Sequence, residues 1–181
     1  MKTLVIILFS MLIVNGDSVL IDFNSAETSG SWYTVNDDVM GGISKSNMTL
    51  NDGGTATFRG QLSLENNGGF ASIRSRINAG NESDFKGVIL RLKGDGNIYS
   101  IRFRTNQNFD GFAYQAKIET EKDQWIEFKV PFKDFTPTYR GYTLKDKPAL
   151  ESKDIVQIGI LIADNQSGNF EIDMDWVKFY N

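Results

Sequence analysis

The sequence predicts an all-β fold, and more closely a two-sheet antiparallel β-sandwich of the jelly-roll kind. About ten short runs alternate apolar and polar residues, turns rich in glycine and asparagine separate them, and no amphipathic stretch has the length of an ordinary helix. Alternation with period two buries one face of each strand. Many short strands joined by turns pack as two sheets around a common core.

The predicted strands follow one another along the chain. They occupy residues 19–23, 48–50, 55–58, 61–64, 70–77, 87–93, 99–105, 112–118, 125–132, 155–163 and 170–180. Turn sequences such as NDGG at 51–54 and GDGN at 94–97 favour tight hairpins between them. Residues 133–135, just before Pro137, predict a single helical turn. No repeat or linker interrupts residues 17–181, so one jelly-roll domain is expected there.

Residues 1–16 are predicted to be a secretory signal peptide. Lys2 gives a positive start, residues 4–14 form an apolar run, and Gly16 ends a segment that a signal peptidase accepts. The apolar run is too short to span a membrane comfortably. Residues 17–181 contain no longer apolar run, so no transmembrane segment is predicted in the mature chain. A secreted or periplasmic location is expected.

The composition excludes several kinds of chemistry. The chain has no histidine and no cysteine, which removes Ser-His-Asp and Cys-His nucleophiles, histidine proton shuttles, nearly all zinc sites and disulfides. The glycines do not follow phosphate-loop or dinucleotide-binding spacing. The net charge of −4 argues against nucleic acid as a partner. We therefore predict a protein that is not an enzyme, with no cofactor and no metal site. A structural calcium ion held by loop aspartates and backbone carbonyls stays open as an alternative, although no EF-hand spacing is present.

The segment NDDVMGGIS at 36–44 contains two acids followed by paired glycines, which cannot continue a strand or a helix. We predict a sharp turn there, with polar side chains bonded to the loop's own backbone. It is interpreted either as a self-bonded loop closing one end of the fold or as a rigid recognition loop. The candidate binding residues in this loop, beside it and in the next turn are Trp32, Asn36, Asp37, Asp38, Met40, Gly41, Gly42, Asn66 and Asn67.

Three predicted strands each place two cations on the face opposite their apolar residues. If these strands are neighbours in one sheet, the six charges form one basic patch. The patch is either a solvated face neutralised by acids such as Glu127, Asp173 and Asp175, or a docking face for an acidic partner or ligand. The six cations are Arg74, Arg76, Arg91, Lys93, Arg102 and Arg104, of which Arg74, Arg91, Arg102 and Arg104 are candidate binding residues.

Several long motifs resemble the complex I intermediate-associated protein 30 family. They are WYTVNDDVMGGIS at 32–44 and the segments 58–60, 62–74, 93–96, 131–135, 140–141 and 158–176. The resemblance implies a galactose-binding-domain-like jelly roll and a non-catalytic assembly factor that binds intermediates of respiratory complex I. The predicted secretory leader differs from the transit peptide of the mitochondrial members.

The sequence leaves three functions open. The first is a non-enzymatic module that binds a protein partner through the loop and the basic face. The second is an extracytoplasmic carbohydrate-binding module, in which exposed aromatic residues stack on sugar rings and polar loop residues bond hydroxyls. The third, the least favoured, is a hydrolase with a carboxylate couple at Asp37 and Asp38 or at Asp173 and Asp175. The aromatic residues in question are Trp32, Tyr33 and Tyr142, and the polar ones are Asn36, Asp37 and Asn66.

Overall fold

The computed structural model of the protein describes residues 18–26, 30–77, 85–108 and 110–181. The predicted leader, 1–16, lies outside the described residues. The strands of the described part are β1 (Ser18–Asp22), β2 (Trp32–Asn36), β3 (Lys45–Asn51), β4 (Thr55–Leu62), β5 (Ala71–Arg76), β6 (Gly87–Lys93), β7 (Ile98–Arg104), β8 (Ala113–Glu119), β9 (Trp125–Pro131), β10 (Thr136–Tyr139), β11 (Tyr142–Thr143), β12 (Gln157–Ile162) and β13 (Gly168–Tyr180). Single 3-10 turns cover Asp37–Met40, Glu65–Asn67, Phe132–Asp134 and Ser152–Asp154.

These strands form two antiparallel sheets, which confirms the predicted two-sheet jelly-roll class. The six-stranded sheet has the order β3-β4-β13-β6-β9, with β1 also paired to β13. The seven-stranded sheet has the order β11-β10-β8-β7-β12-β5-β2. None of the helical turns in the described ranges has the length and apolar content needed to cross a membrane.

One hydrophobic core lies between the two sheets. In β6, Val88, Leu90 and Leu92 are almost completely buried, and Ile101 and Phe103 of β7 are completely buried. The buried positions are the apolar positions of the alternating sequence pattern, because successive side chains of a strand point to opposite faces. Burying each such side chain contributes about 2 kcal/mol to folding. Because the chain has no cysteine, burial of this kind and the strand hydrogen bonds hold the sheets together in place of disulfides.

The long strand β13 connects most of the six-stranded sheet. Its residues 168–174 pair with β4, its residues 173–180 pair with β6, and its residues 176–179 pair with β1. The register with β6 shifts between Met174 and Trp176, which marks a bulge where the strand bends.

The prediction of one patch of six cations is wrong. The strand β6, which carries Arg91 and Lys93, belongs to the six-stranded sheet, whereas β5 and β7 belong to the seven-stranded sheet. The cations therefore lie on the opposite outer faces of the sandwich. Moreover, β12 lies between β5 and β7, so even the remaining arginines are not on adjacent strands.

Candidate functional site

Asp37 is completely buried at the start of the loop 37–44. Its Oδ1 accepts a hydrogen bond from the backbone N–H of Ser44 at 2.9 Å, and its Oδ2 accepts one from the Ser44 hydroxyl. The same Oδ2 accepts bonds from the backbone N–H groups of Gly69 at 2.6 Å and Phe70 at 3.3 Å. One carboxylate thus ties the loop 37–44 to the turn 65–70.

Burial alone acts to raise the pKa of Asp37, but the hydrogen bonds from Ser44, Gly69 and Phe70 outweigh it and hold the pKa below its ordinary value. The carboxylate is therefore ionised and saturated by the protein itself. Asp37 supports the loop and is not available to a ligand, which agrees with the interpretation of a self-bonded loop.

The two glycines of the loop serve different purposes. Gly41 has a φ of 90°, a left-handed conformation that ends the 3-10 turn. Gly42 has no such φ, but a Cβ built on it would lie 2.4 Å from the Cγ of Asp37. The predicted sharp turn is thus present, and the second glycine makes room for the buried carboxylate.

The anchored segments expose an apolar surface, which we call the apolar rim. Its members are Val39, Met40, Ile43 and Leu64, with exposed fractions of 69%, 65%, 48% and 46%. The first three belong to the loop 37–44, and Leu64 directly precedes the turn that Asp37 holds. Of these residues only Met40 was a sequence candidate. The alternation of buried and exposed positions does not apply in a loop, so the sequence gives no signal for the other three.

The remaining candidates of this region have structural partners or lie in turns. Trp32 is half-buried and packs on Phe23, with ring centroids 5.9 Å apart. The Oδ1 of Asn36 accepts a hydrogen bond from the hydroxyl of Ser46. Asp38 is exposed and accepts a bond from the backbone N–H of Val39 at 3.0 Å.

Asn66 and Asn67 are exposed in the turn 65–67. Both have positive φ, of 56° and 59°, which asparagine tolerates better than most residues. These two residues shape the turn that presents Gly69 to Asp37. Their side chains remain accessible next to the apolar rim.

Two cations on the outer face of the six-stranded sheet are neutralised by ion pairs. Arg91 forms an ion pair with Asp175, and Lys93 forms one with Asp173 at 2.7 Å. The Arg91 guanidinium also lies over the ring of Trp125, 4.6 Å from its centroid. For Arg91 and Lys93 the interpretation of a neutralised face is therefore correct.

The carboxylates named in the hydrolase hypothesis are also bound to other groups of the protein. Asp173 and Asp175 each bind a cation, and Asp37 is saturated by hydrogen bonds. Within the described residues, no three side chains of the metal-binding types form a group that could hold a metal ion. This arrangement does not resemble an acid and base pair facing a substrate.

The outer face of the seven-stranded sheet carries the other arginines. Gly159 of β12 lies opposite Arg74 of β5 on one side and opposite Arg102 of β7 on the other. Two residues earlier on β12, and on the same face, Gln157 lies between Arg76 of β5 and Arg104 of β7. Arg104 is 3% exposed and Gln157 is completely buried. We call Arg74, Arg102 and Arg104 the arginine cluster.

The electrostatics of the arginine cluster are unfavourable. Burial, followed by the charge of Arg74, lowers the pKa of Arg102 to about 10. Burial and then the charges of Arg74 and Arg102 lower the pKa of Arg104 to about 9, while Asp110 acts in the opposite direction. These guanidinium groups stay charged at neutral pH and repel one another in a partly dry environment.

The exposed aromatic residues do not form one platform. Tyr33 lies on the edge strand β2, opposite Arg74, and Tyr142 lies on the other edge strand, β11. Seven strands at their usual spacing separate the two edges by about 30 Å along the sheet. Tyr33 and Tyr142 therefore cannot stack on the same sugar ring.

Comparison with known proteins gives a family match over most of the chain. The model of a family described as Complex I intermediate-associated protein 30 matches residues 21–174. Two proteins named "Probable complex I intermediate-associated protein 30, mitochondrial", from Caenorhabditis briggsae and Caenorhabditis elegans, are each 26% identical over 98 residues. The match covers 52% of this chain but only 29% of each nematode protein. This chain therefore spans well under half the length of those relatives.

The mitochondrial location in these names overturns the expectation of a secreted or periplasmic protein. That expectation rested on residues 1–16 alone. An apolar stretch behind a single lysine is a short signal, and it is outweighed by relatives matched through the folded part of the chain.

Solved structures with the same fold include carbohydrate-binding modules. The family 11 module of Clostridium thermocellum, in complex with a β-1,3-1,4-mixed-linked tetrasaccharide, has a TM-score of 0.63 and 17% identity, covering 91% of this chain and 96% of the module. The same type of module from the cellulase Lic26A-Cel5E has a TM-score of 0.65 and 18% identity, covering 92% and 95%. At such identity the likeness shows the fold alone.

Proposed function

The chain belongs to the complex I intermediate-associated protein 30 family, and from this premise we propose that it is a non-enzymatic, assembly-factor-like module that binds a protein partner at the apolar rim. The observation that carries the proposal is the exposure of Val39, Met40, Ile43 and Leu64 on segments that the buried Asp37 holds in place. Exposed apolar side chains grouped on a rigid support are typical of protein-binding surfaces.

The rigidity of the support favours binding. A loop that is already ordered loses little conformational entropy when it binds, so more of the contact energy appears as affinity. Asp37 provides this order with hydrogen bonds to Ser44, Gly69 and Phe70. The apolar side chains on the loop are then presented in a fixed arrangement, and the partner contributes the complementary apolar surface.

The names of the nematode relatives indicate where to look for the partner. Both are named as mitochondrial and as intermediate-associated proteins of complex I. We therefore propose a mitochondrial location and a partner among proteins of complex I assembly.

The experiment introduces a charge into the rim. Met40→Asp should lower capture of the partner by about tenfold, because a desolvated charge is poorly tolerated at the centre of an interface. The matched control is Leu50→Asp, since Leu50 is 56% exposed on β3 outside the rim. Binding is measured by affinity capture from mitochondria of the protein's own cells and by co-migration with complex I intermediates on native gels. Equal capture by the wild type and both variants would remove the proposal.

Carbohydrate binding is a second candidate, favoured by Tyr33. This residue is 52% exposed beside Arg74 on the outer face of the seven-stranded sheet. An exposed aromatic ring next to a hydrogen-bond donor is a common sugar-binding arrangement. Calorimetry with a mixed-linked β-glucan tetrasaccharide should show saturable binding that Tyr33→Ala abolishes. Absence of heat at millimolar sugar removes this candidate.

A further inference from the structure

A groove lies on the outer face of the six-stranded sheet, near the ends of β3 and β4 that lead to the apolar rim. It has a volume of about 440 Å³, and its lining includes Asn47 of β3, Arg59 of β4, and Asn169 and Glu171 of β13. Asn47 lies opposite Arg59, which in turn lies opposite Glu171, so these side chains form one row across three adjacent strands. We call the surface formed by these four residues the polar groove.

The polar groove has a fixed wall on one side. Residues 168–172 of β13 pair with β4 but lie outside the pairing of β13 with β6. The carboxylate of Asp95, in the turn after β6, takes the place of a strand there and accepts the backbone N–H of Glu171 at 2.7 Å. It also accepts the backbone N–H of Asn97 at 3.0 Å and the hydroxyl of Tyr99 at 3.1 Å. Asp95 is therefore saturated by the protein and shapes the groove without offering a binding group.

The two charged side chains of the polar groove are exposed and unused. Arg59 and Glu171 are directly opposite residues, and the Cβ atoms of such residues are about 5 Å apart. Even so, neither forms an ion pair or a side-chain hydrogen bond within the part of the chain that the structure describes. The charge of Glu171 acts on Lys93, but Lys93 pairs with Asp173. A guanidinium donor and a carboxylate acceptor thus lie side by side and accessible.

The apolar rim is too small to be a complete interface. An aliphatic side chain offers about 100 Å² when fully exposed, so the four partly exposed members of the rim offer less than about 300 Å². A stable protein interface buries about 800 Å² on each partner, with an apolar centre and a polar surround. The partner must therefore cover a neighbouring surface as well.

The polar groove is such a neighbour of the rim. Asn47 follows Ile43 by four residues, and Arg59 precedes Leu64 by five residues. At the usual rise of a strand, the groove begins within about 17 Å of the rim. One extended segment of a partner is long enough to contact both surfaces.

We propose that the polar groove is the second half of the partner-binding surface, occupied by a segment of the same protein that covers the apolar rim. This inference rests on the proposed function, because it takes the occupant to be the partner bound at the rim. The segment presents an acidic side chain to Arg59 and a basic side chain to Glu171, and each forms a charge-assisted hydrogen bond. The amides of Asn47 and Asn169 can donate to and accept from the backbone of the segment.

The charges of the groove select a segment that carries both signs. A purely acidic segment is repelled by Glu171, and a purely basic one is repelled by Arg59. Alternate residues of an extended segment point to the same side and lie about 7 Å apart. An acid and a base at alternate positions therefore reach Arg59 and Glu171 together.

The first experiment tests whether one partner covers both surfaces. The photoreactive residue p-benzoylphenylalanine replaces Asn47 in the groove, Leu64 in the rim or, as a control, the exposed Glu119 on β8 of the other sheet. Each full-length chain is irradiated in mitochondria of the protein's own cells. We expect positions 47 and 64 to crosslink to the same polypeptide and position 119 not to do so. Met40→Asp should remove both crosslinks, because the rim and the groove hold one partner.

Charge variants test the signs of the contacts. Arg59→Glu should weaken capture of the crosslinked polypeptide by about tenfold, because a like charge then faces the acid of the partner. The double variant Arg59→Glu with Glu171→Arg keeps the net charge and should bind no better than Arg59→Glu. The matched control is Lys145→Glu, which makes the same change of net charge at an exposed position outside the groove and should bind like the wild type. Thermal unfolding checks that each variant folds, and the crosslink from position 47 decides if one does not.

Four results would overturn the proposal. The first two are a crosslink from position 64 without one from position 47, and crosslinks from the two positions to different polypeptides. The third is wild-type binding by the charge-exchanged double variant. The fourth is loss of the position-47 crosslink alone when a mixed-linked β-glucan tetrasaccharide is added, which would assign the groove to a sugar. In all four the rim still binds a protein, whereas the absence of both crosslinks would remove the proposed function as well.

Discussion

The Oδ2 of Asp37 lies 2.6 Å from the backbone nitrogen of Gly69, although the two residues are 32 positions apart in the chain. This bond joins the two turns at the end of the β2–β5 pairing, just beyond the pair of Asn36 and Ala71. The apolar rim is built on these two turns, so its shape depends on a group that is itself inaccessible. Four predictions follow from this and neighbouring contacts.

Removing the carboxylate should destabilise the protein. Asp37→Ala leaves the N–H groups of Ser44, Gly69 and Phe70 without their acceptor, and we expect a loss of about 3 kcal/mol in the free energy of unfolding. Urea denaturation measures the change. Asp38→Ala is the control, since Asp38 is exposed and bonds only locally, and it should change stability by less than about 0.5 kcal/mol. Equal effects of the two substitutions would contradict the assigned role of Asp37.

Gly42 should not accept a side chain. Gly42→Ala puts a methyl group 2.4 Å from the Asp37 Cγ, so the carboxylate must move and its bonds lengthen. We expect a loss of about 2 kcal/mol, within the range for overpacking a buried site. Gly53→Ala is the matched control, because a Cβ there meets nothing within 4 Å. Thermal unfolding of both variants distinguishes them, and a neutral Gly42→Ala would disprove the close approach.

Protonation of Asp37 should lower the stability of the protein in acid. Its pKa is lower in the folded protein than its ordinary value of 3.8, so the unfolded chain binds the proton first as the pH falls. The contribution of Asp37 is therefore complete above pH of about 4 and is lost as the pH falls through the lower folded pKa. Unfolding measured from pH 6 to pH 2 should show a smaller decrease for Asp37→Asn than for the wild type. Parallel curves for the two proteins would exclude this linkage.

The ion pairs of the six-stranded sheet should contribute little. Arg91 is about one-third exposed, so solvent screens its pair with Asp175. Arg91→Gln should lower the free energy of unfolding by less than about 1 kcal/mol, part of it from lost contact with Trp125. Urea denaturation measures the change, and a loss above about 2 kcal/mol would contradict the assignment of a solvent-screened surface pair.

The features that depend on neighbours along the chain could be predicted from the sequence. Alternation in 87–93 correctly predicts that Val88, Leu90 and Leu92 face the core, because the direction of a side chain in a strand depends on local geometry. The glycine pair correctly predicts a turn for the same reason. The strand β2 was not predicted, although Trp32–Asn36 contains four strand-forming residues. It is a short segment leading into the loop 37–44, and its place is determined by pairing with the distant strand β5.

Features that depend on distant pairing could not be predicted. The insertion of β12 between β5 and β7 decides which arginines share a face, and nothing in 71–76 or 98–104 encodes it. The partners of Asp37 show the same division. Its bonds to Ser44 lie within the loop and were expected, whereas Gly69 becomes a partner only when β2 pairs with the distant strand β5.

The position of β13 has a consequence for synthesis on the ribosome. Its partners β1, β4 and β6 all precede it, so these strands emerge with unpaired edges before residues 168–180 are made. Open strand edges recruit other chains and lead to aggregation. The six-stranded sheet therefore cannot close before residues 168–180 have left the ribosome, and nascent chains stalled before Gly168 should depend strongly on chaperones.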